Sequence, residues 1–255
     1  GLWLGSRRAT DAERARQTEL EAKLDAVMTK RGKQGKDRPG GAWLKRRGLI
    51  EDAVAKFHGP MSSAVDLDEL STTGYLDIGT DVEPNLLIKE GYGALVARYG
   101  REVPVHLNTP VRAVRYSGPG VVLDTPQGAV NARACLVTSS TGVLAAEKIR
   151  FDPVLPEWNR DAIAGFPMGL LAKIPLQFQA SGLFGLNDFD DLLREQPGKR
   201  DIYFLSFPFH LPLLVGFAGG DFAWELSAAG EAEAIDYALN HLRHLFGSGA
   251  AKQFF

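Results

Sequence analysis

Between Pro167 and Phe178 the side chains change character at every second position. Ala172, Ile174, Leu176 and Phe178 are apolar, and Lys173, Pro175 and Gln177 stand between them. A period of two belongs to a strand whose faces meet different surroundings. The apolar set predicts a packed core on one side of a sheet, with Lys173 and Gln177 sharing the other. Pro175 has no N–H to offer a second neighbour, so the strand is expected at a sheet edge or a bulge. On pattern alone Lys173 is a solvated strand lysine.

The same period governs Val103 to Arg133. Val103, Val105 and Leu107 predict one strand, and Val111 to Tyr116 its continuation or neighbour. Val121 to Thr125 and Ala129 to Arg133 follow, with turns at Gly118-Pro119-Gly120 and Pro126-Gln127-Gly128, which makes an antiparallel meander. The meander runs into Ala134-Cys135-Leu136-Val137, a continuous apolar run of the kind buried in a parallel sheet. Cys135 is expected there as a buried, inert thiol. Thr138-Ser139-Ser140-Thr141-Gly142 comes next. Ligands in open α/β sheets lie just beyond the carboxyl ends of strands, and small hydroxyl residues let one come close. An ordinary polar exit from a strand has the same composition. Ile202 to Phe209 and Leu211 to Phe217 predict two further strands, while Leu183 to Pro197 reads as irregular.

Helical signals occupy the flanks. Thr10 with Glu13 forms a capping box ahead of a helix over residues 8–30, whose apolar stripe is Leu20, Leu24, Val27 and Met28. Short helices are expected at Leu49 to Phe57, stopping at His58-Gly59-Pro60, and at Asp66 to Leu70. Others are expected at Ala94 to Tyr99, closed by Gly100, and at Glu157 to Gly165. Ala229 to Phe246 carries the stripe Ile235, Leu239, Leu242 and Leu245. The pattern as a whole is α+β or mixed α/β. Gly91 and Gly93 make G-x-G without the third glycine, so they read as a helix start where backbone passes close to something, not as a phosphate cradle. His241 and His244 lie three apart with no third ligand, so no metal site is assigned. Residues 30–47 hold eight Lys and Arg. No aromatic residues interleave them as a stacking platform, and they read as a solvated loop, not a nucleic-acid surface.

The totals exclude more than they select. A net charge of −2 exerts no global pull on nucleic acid or anionic membrane. One cysteine cannot form an intrachain disulfide. No apolar run reaches the roughly 20 residues of a membrane-spanning helix. There is no initiator Met, no signal-peptide pattern and no polar tail after Phe254-Phe255, so both ends read as cuts inside a longer protein. No G-x-S-x-G, H-E-x-x-H, Walker or C-x-x-C motif is present, so any hard chemistry would belong to a bound cofactor.

Several segments, in order, resemble the flavin-dependent amine oxidase family of monoamine and polyamine oxidases. They are Glu90-Gly91-Tyr92-Gly93-Ala94-Leu95, Leu107-Asn108-Thr109-Pro110-Val111, Cys135 to Leu144, Ile149 to Pro156, Pro167 to Lys173 and Val215 to Gly220. The likeness runs from about residue 60 to the end, and the first sixty residues match only as a variable helical part. It implies an FAD-dependent oxidation of an amine to an imine, with O2 as acceptor and H2O2 as product. Three parts are implied: residues 1–90 as the helical part of a substrate domain, 91–145 as meander and strand of the FAD domain, and 146–255 as the sheet and helix of the substrate domain.

The resemblance also implies roles. The backbone of Val111 would meet the adenine end of FAD, and Val137, Thr138 and Ser139 would lie beside the nucleotide. Lys173 would sit near the flavin through a water and stabilise charge that builds on the ring. Tyr92 would face the substrate, and Tyr203 and Phe204 would wall an amine pocket. The family's G-x-G-x-x-G fingerprint and its C-terminal flavin-wrapping segment are both missing. The implied partners are therefore a small amine and the missing FAD-binding segments, with no nucleic acid and no transmembrane segment. The alternative is a non-catalytic relative that keeps the fold to bind a ligand or a partner.

Overall fold

The computed structural model describes residues 1–49, 59–77, 86–196 and 198–254 of the 255. Two compact units emerge. One joins Gly1–Asn85 to Gly169–Phe255, and the other is Leu86–Met168. Within the second unit the helix at 157–164 packs on the one at 141–145. The fold is mixed α/β, with one sheet in each unit.

The first unit opens with strands β1 (Leu2–Leu4) and β2 (Arg7–Arg8). Helices α1 (Asp11–Gly32), α2 (Gly41–Lys45) and α3 (Gly74–Asp77) follow. The second unit contributes α4 (Tyr92–Tyr99), β3 (Ala113–Arg115), β4 (Val121–Thr125), β5 (Gly128–Ala132), α5 (Thr141–Ala145), β6 (Arg150–Asp152) and α6 (Glu157–Ala164). The chain then returns to the first unit with β7 (Leu171–Gln177), β8 (Asp191–Leu193), β9 (Tyr203–Ser206) and β10 (Leu213–Gly219). It ends on α7 (Gly220–Ala229) and α8 (Glu231–Phe246).

The first unit's sheet has the order β2-β1-β8-β9-β10-β7. β7 is its edge strand, where Pro175 costs no ladder bond. The alternation falls as expected. Ile174, Leu176 and Phe178 are buried with Phe204, Leu214 and Ala218 against α7 and α8, while Lys173 and Gln177 are exposed. Each fully buried large side chain contributes about 1.5–3 kcal/mol. Gly219 closes β10 where a Cβ would stand 2.2 Å from the Pro60 carbonyl oxygen, so only glycine permits that approach. The same packing buries Gly59 and Pro60 and holds residues 59–63 helical, where the sequence predicted a break.

α1 starts at Thr10 with both halves of the capping box formed, and it buries Leu24, Val27 and Met28 against Leu44, Leu67 and Leu70. The helix expected at Leu49 to Phe57 lies outside the described residues from position 50 onward. Asp66 to Leu70 makes a single turn and no helix. Trp43 does stand within the basic stretch, contrary to expectation. Arg31 covers its ring at 3.7 Å and Arg46 approaches at 5.5 Å. The chain's own guanidinium groups therefore occupy the face that a base would need.

In the second unit β5-β4-β3 form the expected meander, and β6 joins β3 in parallel. Two expected strands are not formed. Val103, Val105 and Leu107 are exposed without a partner strand among the described residues, and so is the run from Ala134 to Val137. A strand buried in a parallel sheet needs neighbours on both edges, and here none are present to turn these segments into strands. Cys135 is correspondingly exposed, not buried.

His241 on α8 is buried, edge-on to Phe204, and its Nε2 has no hydrogen-bond partner among the described residues. Its Nδ1 is 3.9 Å from Asp201 Oδ1. Burial pushes its pKa down to about 4, against the smaller opposing pull of Asp201. The unfolded chain therefore takes up this proton first as pH falls, and stability drops between about pH 6.5 and pH 4. Denaturant titrations are expected to show a loss of up to about 3 kcal/mol across that window. His241→Phe is expected to flatten that part of the profile, and an unchanged slope would contradict the assignment.

Candidate functional site

The register of three strands builds a row on the face of the sheet opposite the core. Lys173 of β7 stands across from Phe217 of β10, and Phe217 stands across from Tyr203 of β9. Cross-strand partners share a face, so the three side chains are neighbours. The Lys173 Nζ lies 5.9 Å from the Phe217 ring centroid. The Phe217 and Tyr203 rings are 5.3 Å apart between centroids. The Tyr203 hydroxyl donates a hydrogen bond to Asp191 of β8. Burial, reinforced by the Asp191 carboxylate, pushes the Tyr203 phenol above its usual range, so it remains a neutral donor. The row therefore presents an exposed ammonium at one end, two aromatic rings in the middle and a carboxylate at the far end.

Phe204 does not belong to this row. Successive strand residues point to opposite faces, and Phe204 is fully buried in the core against His241. Tyr203 and Phe204, expected on one wall, therefore stand on opposite faces of the sheet, and the ring beside Tyr203 is Phe217. Sequence reasoning passed over Phe217 and Asp191. The alternation within β10 was visible, but the pairing that sets Phe217 opposite Lys173 was not. β8 is only three residues long and lies in a stretch read as irregular.

The remaining predicted site residues lie in the second unit. Val111 precedes β3, and neither its N–H nor its C=O has a backbone partner among the described residues. Val137 and Thr138 are exposed and Ser139 is half-buried, just before α5. Ser140 caps α5 by accepting from the Val143 N–H. The segment thus offers free backbone edges and hydroxyls to a polar ligand. Tyr92 is exposed on the first turn of α4. Gly91 has φ +90, a conformation that favours glycine. A Cβ at Gly91 or Gly93 would meet nothing within 4 Å among the described residues, so the expected close approach is not made there. His244 is exposed while His241 is buried, and the described residues contain no cluster able to hold a metal ion.

A family model described as flavin containing amine oxidoreductase matches residues 20–254. Polyamine oxidase 4 of Oryza sativa subsp. japonica is 30% identical over 186 residues, which is 71% of this chain and 38% of that protein. Lysine-specific histone demethylase 1 homolog 3 of Arabidopsis thaliana is 28% identical over 178 residues, 64% of this chain and 11% of that protein. Among solved structures, cyclohexylamine oxidase from Brevibacterium oxydans IH-35A aligns with a TM-score of 0.67 at 22% identity, over 92% of this chain and 57% of that one. Putrescine oxidase bound to putrescine aligns with a TM-score of 0.69 at 15% identity, over 99% of this chain and 63% of that one. At these identities the solved structures establish the fold alone. The chain spans 38% or less of the length of these two curated relatives.

The described residues include no glycine-rich loop opening a helix to hold a pyrophosphate. Purified by itself, the 255-residue chain is expected to be colourless and to release no peroxide when given amines. A yellow preparation that turns amines over would contradict this.

Proposed function

The chain belongs to the flavin-containing amine oxidoreductases, and we propose that it is the central part of an FAD-dependent enzyme that oxidises an amine to an imine, with O2 as acceptor and H2O2 as product. The observation that carries this reading is the row Lys173–Phe217–Tyr203 on the face of the sheet turned away from its core. FAD, when bound, supplies the two-electron chemistry that no side chain of this protein can perform.

The described residues fit part of such a cofactor. Val111 and the segment from Val137 to Ser139 would meet its nucleotide end through backbone groups that have no backbone partner among the described residues, and through the hydroxyls of Thr138 and Ser139. The pyrophosphate would be held by sequence that this chain does not contain. The exposed apolar side chains of the second unit support that arrangement. Leu136 is 87% exposed and Leu107 78%, and surface of this kind is normally covered by partner structure.

Lys173 supplies a fixed positive charge where electron density accumulates during amine oxidation. Its stem is held by the β7–β10 ladder, so the charge needs little reorganisation as the reaction proceeds. Phe217 and Tyr203 give the carbon skeleton of an amine an apolar wall. Tyr92 is proposed as a further substrate contact.

In the full-length protein, Lys173→Met is expected to slow reoxidation of the reduced flavin about 100-fold, with folding intact. Stopped-flow absorbance of the flavin measures this directly. Normal reoxidation in a folded variant would favour the alternative, a relative that binds without catalysing.

A further inference from the structure

Residues 30–47 hold eight Lys and Arg against one carboxylate, Asp37. Seven of the eight are exposed, and Arg31 is half-buried. Asp37 does not neutralise them. It accepts from the Ser71 hydroxyl at 2.7 Å and from the Thr73 N–H at 3.2 Å. Those two bonds hold its carboxyl below the usual range. Among the described residues, no carboxylate pairs with any of the eight cations.

The stretch is bolted down at its backbone. The Arg38 carbonyl accepts from the Thr72 N–H at 3.1 Å and from the Thr72 hydroxyl at 3.0 Å. The Gly40 N–H donates to the Leu70 carbonyl at 2.8 Å. Gly32 closes α1 where a Cβ would stand 2.3 Å from the Thr72 carbonyl oxygen. Trp43 of α2 packs on the apolar cluster under α1. The guanidinium of Arg31 lies 3.7 Å from its ring centroid and that of Arg46 5.5 Å. The ends of two helices thus gather their cations around one ring. Like charges held together repel, and an anion laid across them relieves that repulsion.

The surroundings select the kind of anion. A stacked base would need the Trp43 ring that the two arginines already cover. The chain as a whole carries −2 in spite of this stretch, so the remainder holds an excess of carboxylates. A long phosphate backbone running off the patch would meet them, and Glu21 and Asp25 stand earlier on α1 itself. A short run of carboxylates needs the patch alone, and guanidinium forks match carboxylates two bonds at a time.

We propose that the basic surface where α1 meets α2 docks an acidic, Asp- and Glu-rich segment of a partner protein. Arg31 and Arg46, braced on Trp43, and the neighbouring Arg38 and Arg47 supply the forks. The surface belongs to the first unit, and its binding needs no cofactor.

The test uses the full-length protein and fluorescence anisotropy of a short labelled peptide that alternates Glu with Gly. The same peptide with Gln for Glu and an oligothymidylate of equal charge are the comparison probes. The Glu peptide is expected to bind, and the Gln peptide not to. Arg46→Glu together with Arg47→Glu is expected to weaken the complex about 10-fold or more. Arg46→Lys with Arg47→Lys keeps the charge and is expected to weaken it about threefold, because the forks are lost. Arg160→Glu, in the second unit, is expected to change it less than about twofold. Circular dichroism verifies that each variant is folded. Absence of binding would overturn the proposal. So would binding that survives the Glu pair, a Lys pair as tight as the parent, or an oligothymidylate held more tightly than the peptide.

Discussion

The pairing of β7 with β10 is the constraint on which the rest depends. It runs without interruption from Leu213 opposite Gln177 to Gly219 opposite Leu171. With a period of two, that single register decides which side chains enter the core and which line the opposite face. A slip by one residue would bury Lys173 and expose Ile174 and Leu176. The core on α7 and α8 therefore holds the lysine on its face as firmly as any direct contact could.

The two units differ in how completely they satisfy themselves. The first packs one continuous apolar cluster between its sheet and α7 and α8, with a second cluster under α1. The second has a small paired sheet, but many of its apolar side chains stay open, Tyr99 and Leu136 among them. A segment like Ala134 to Val137 has the composition of a buried strand and, among the described residues, no neighbouring strand. The chain spans 38% or less of the length of the two curated relatives.

Much of this was legible beforehand, where the signal is local. The capping box of α1, the turns of the meander and the edge position implied by Pro175 all rest on a few adjacent residues. The misses come from distant pairing. β8 exists because Asp191 and Leu192 meet β9 and because β1, at the far end of the chain, lies alongside. Asp191 and Phe217 join the candidate site only through that pairing. Phe204 is a different case, since the alternation used for β7 already sets it opposite Tyr203. Trp43 was in plain sight among the basic residues, and only its guanidinium neighbours show why it is no open platform.

The relation between the lysine and the flavin is best decided by a crystal structure of the full-length protein with FAD bound. The Lys173 Nζ should lie within two hydrogen-bond lengths of flavin N5, about 6 Å, with one water between them. An Nζ on an outer surface, with the ring facing some other part of the sheet, would contradict the account.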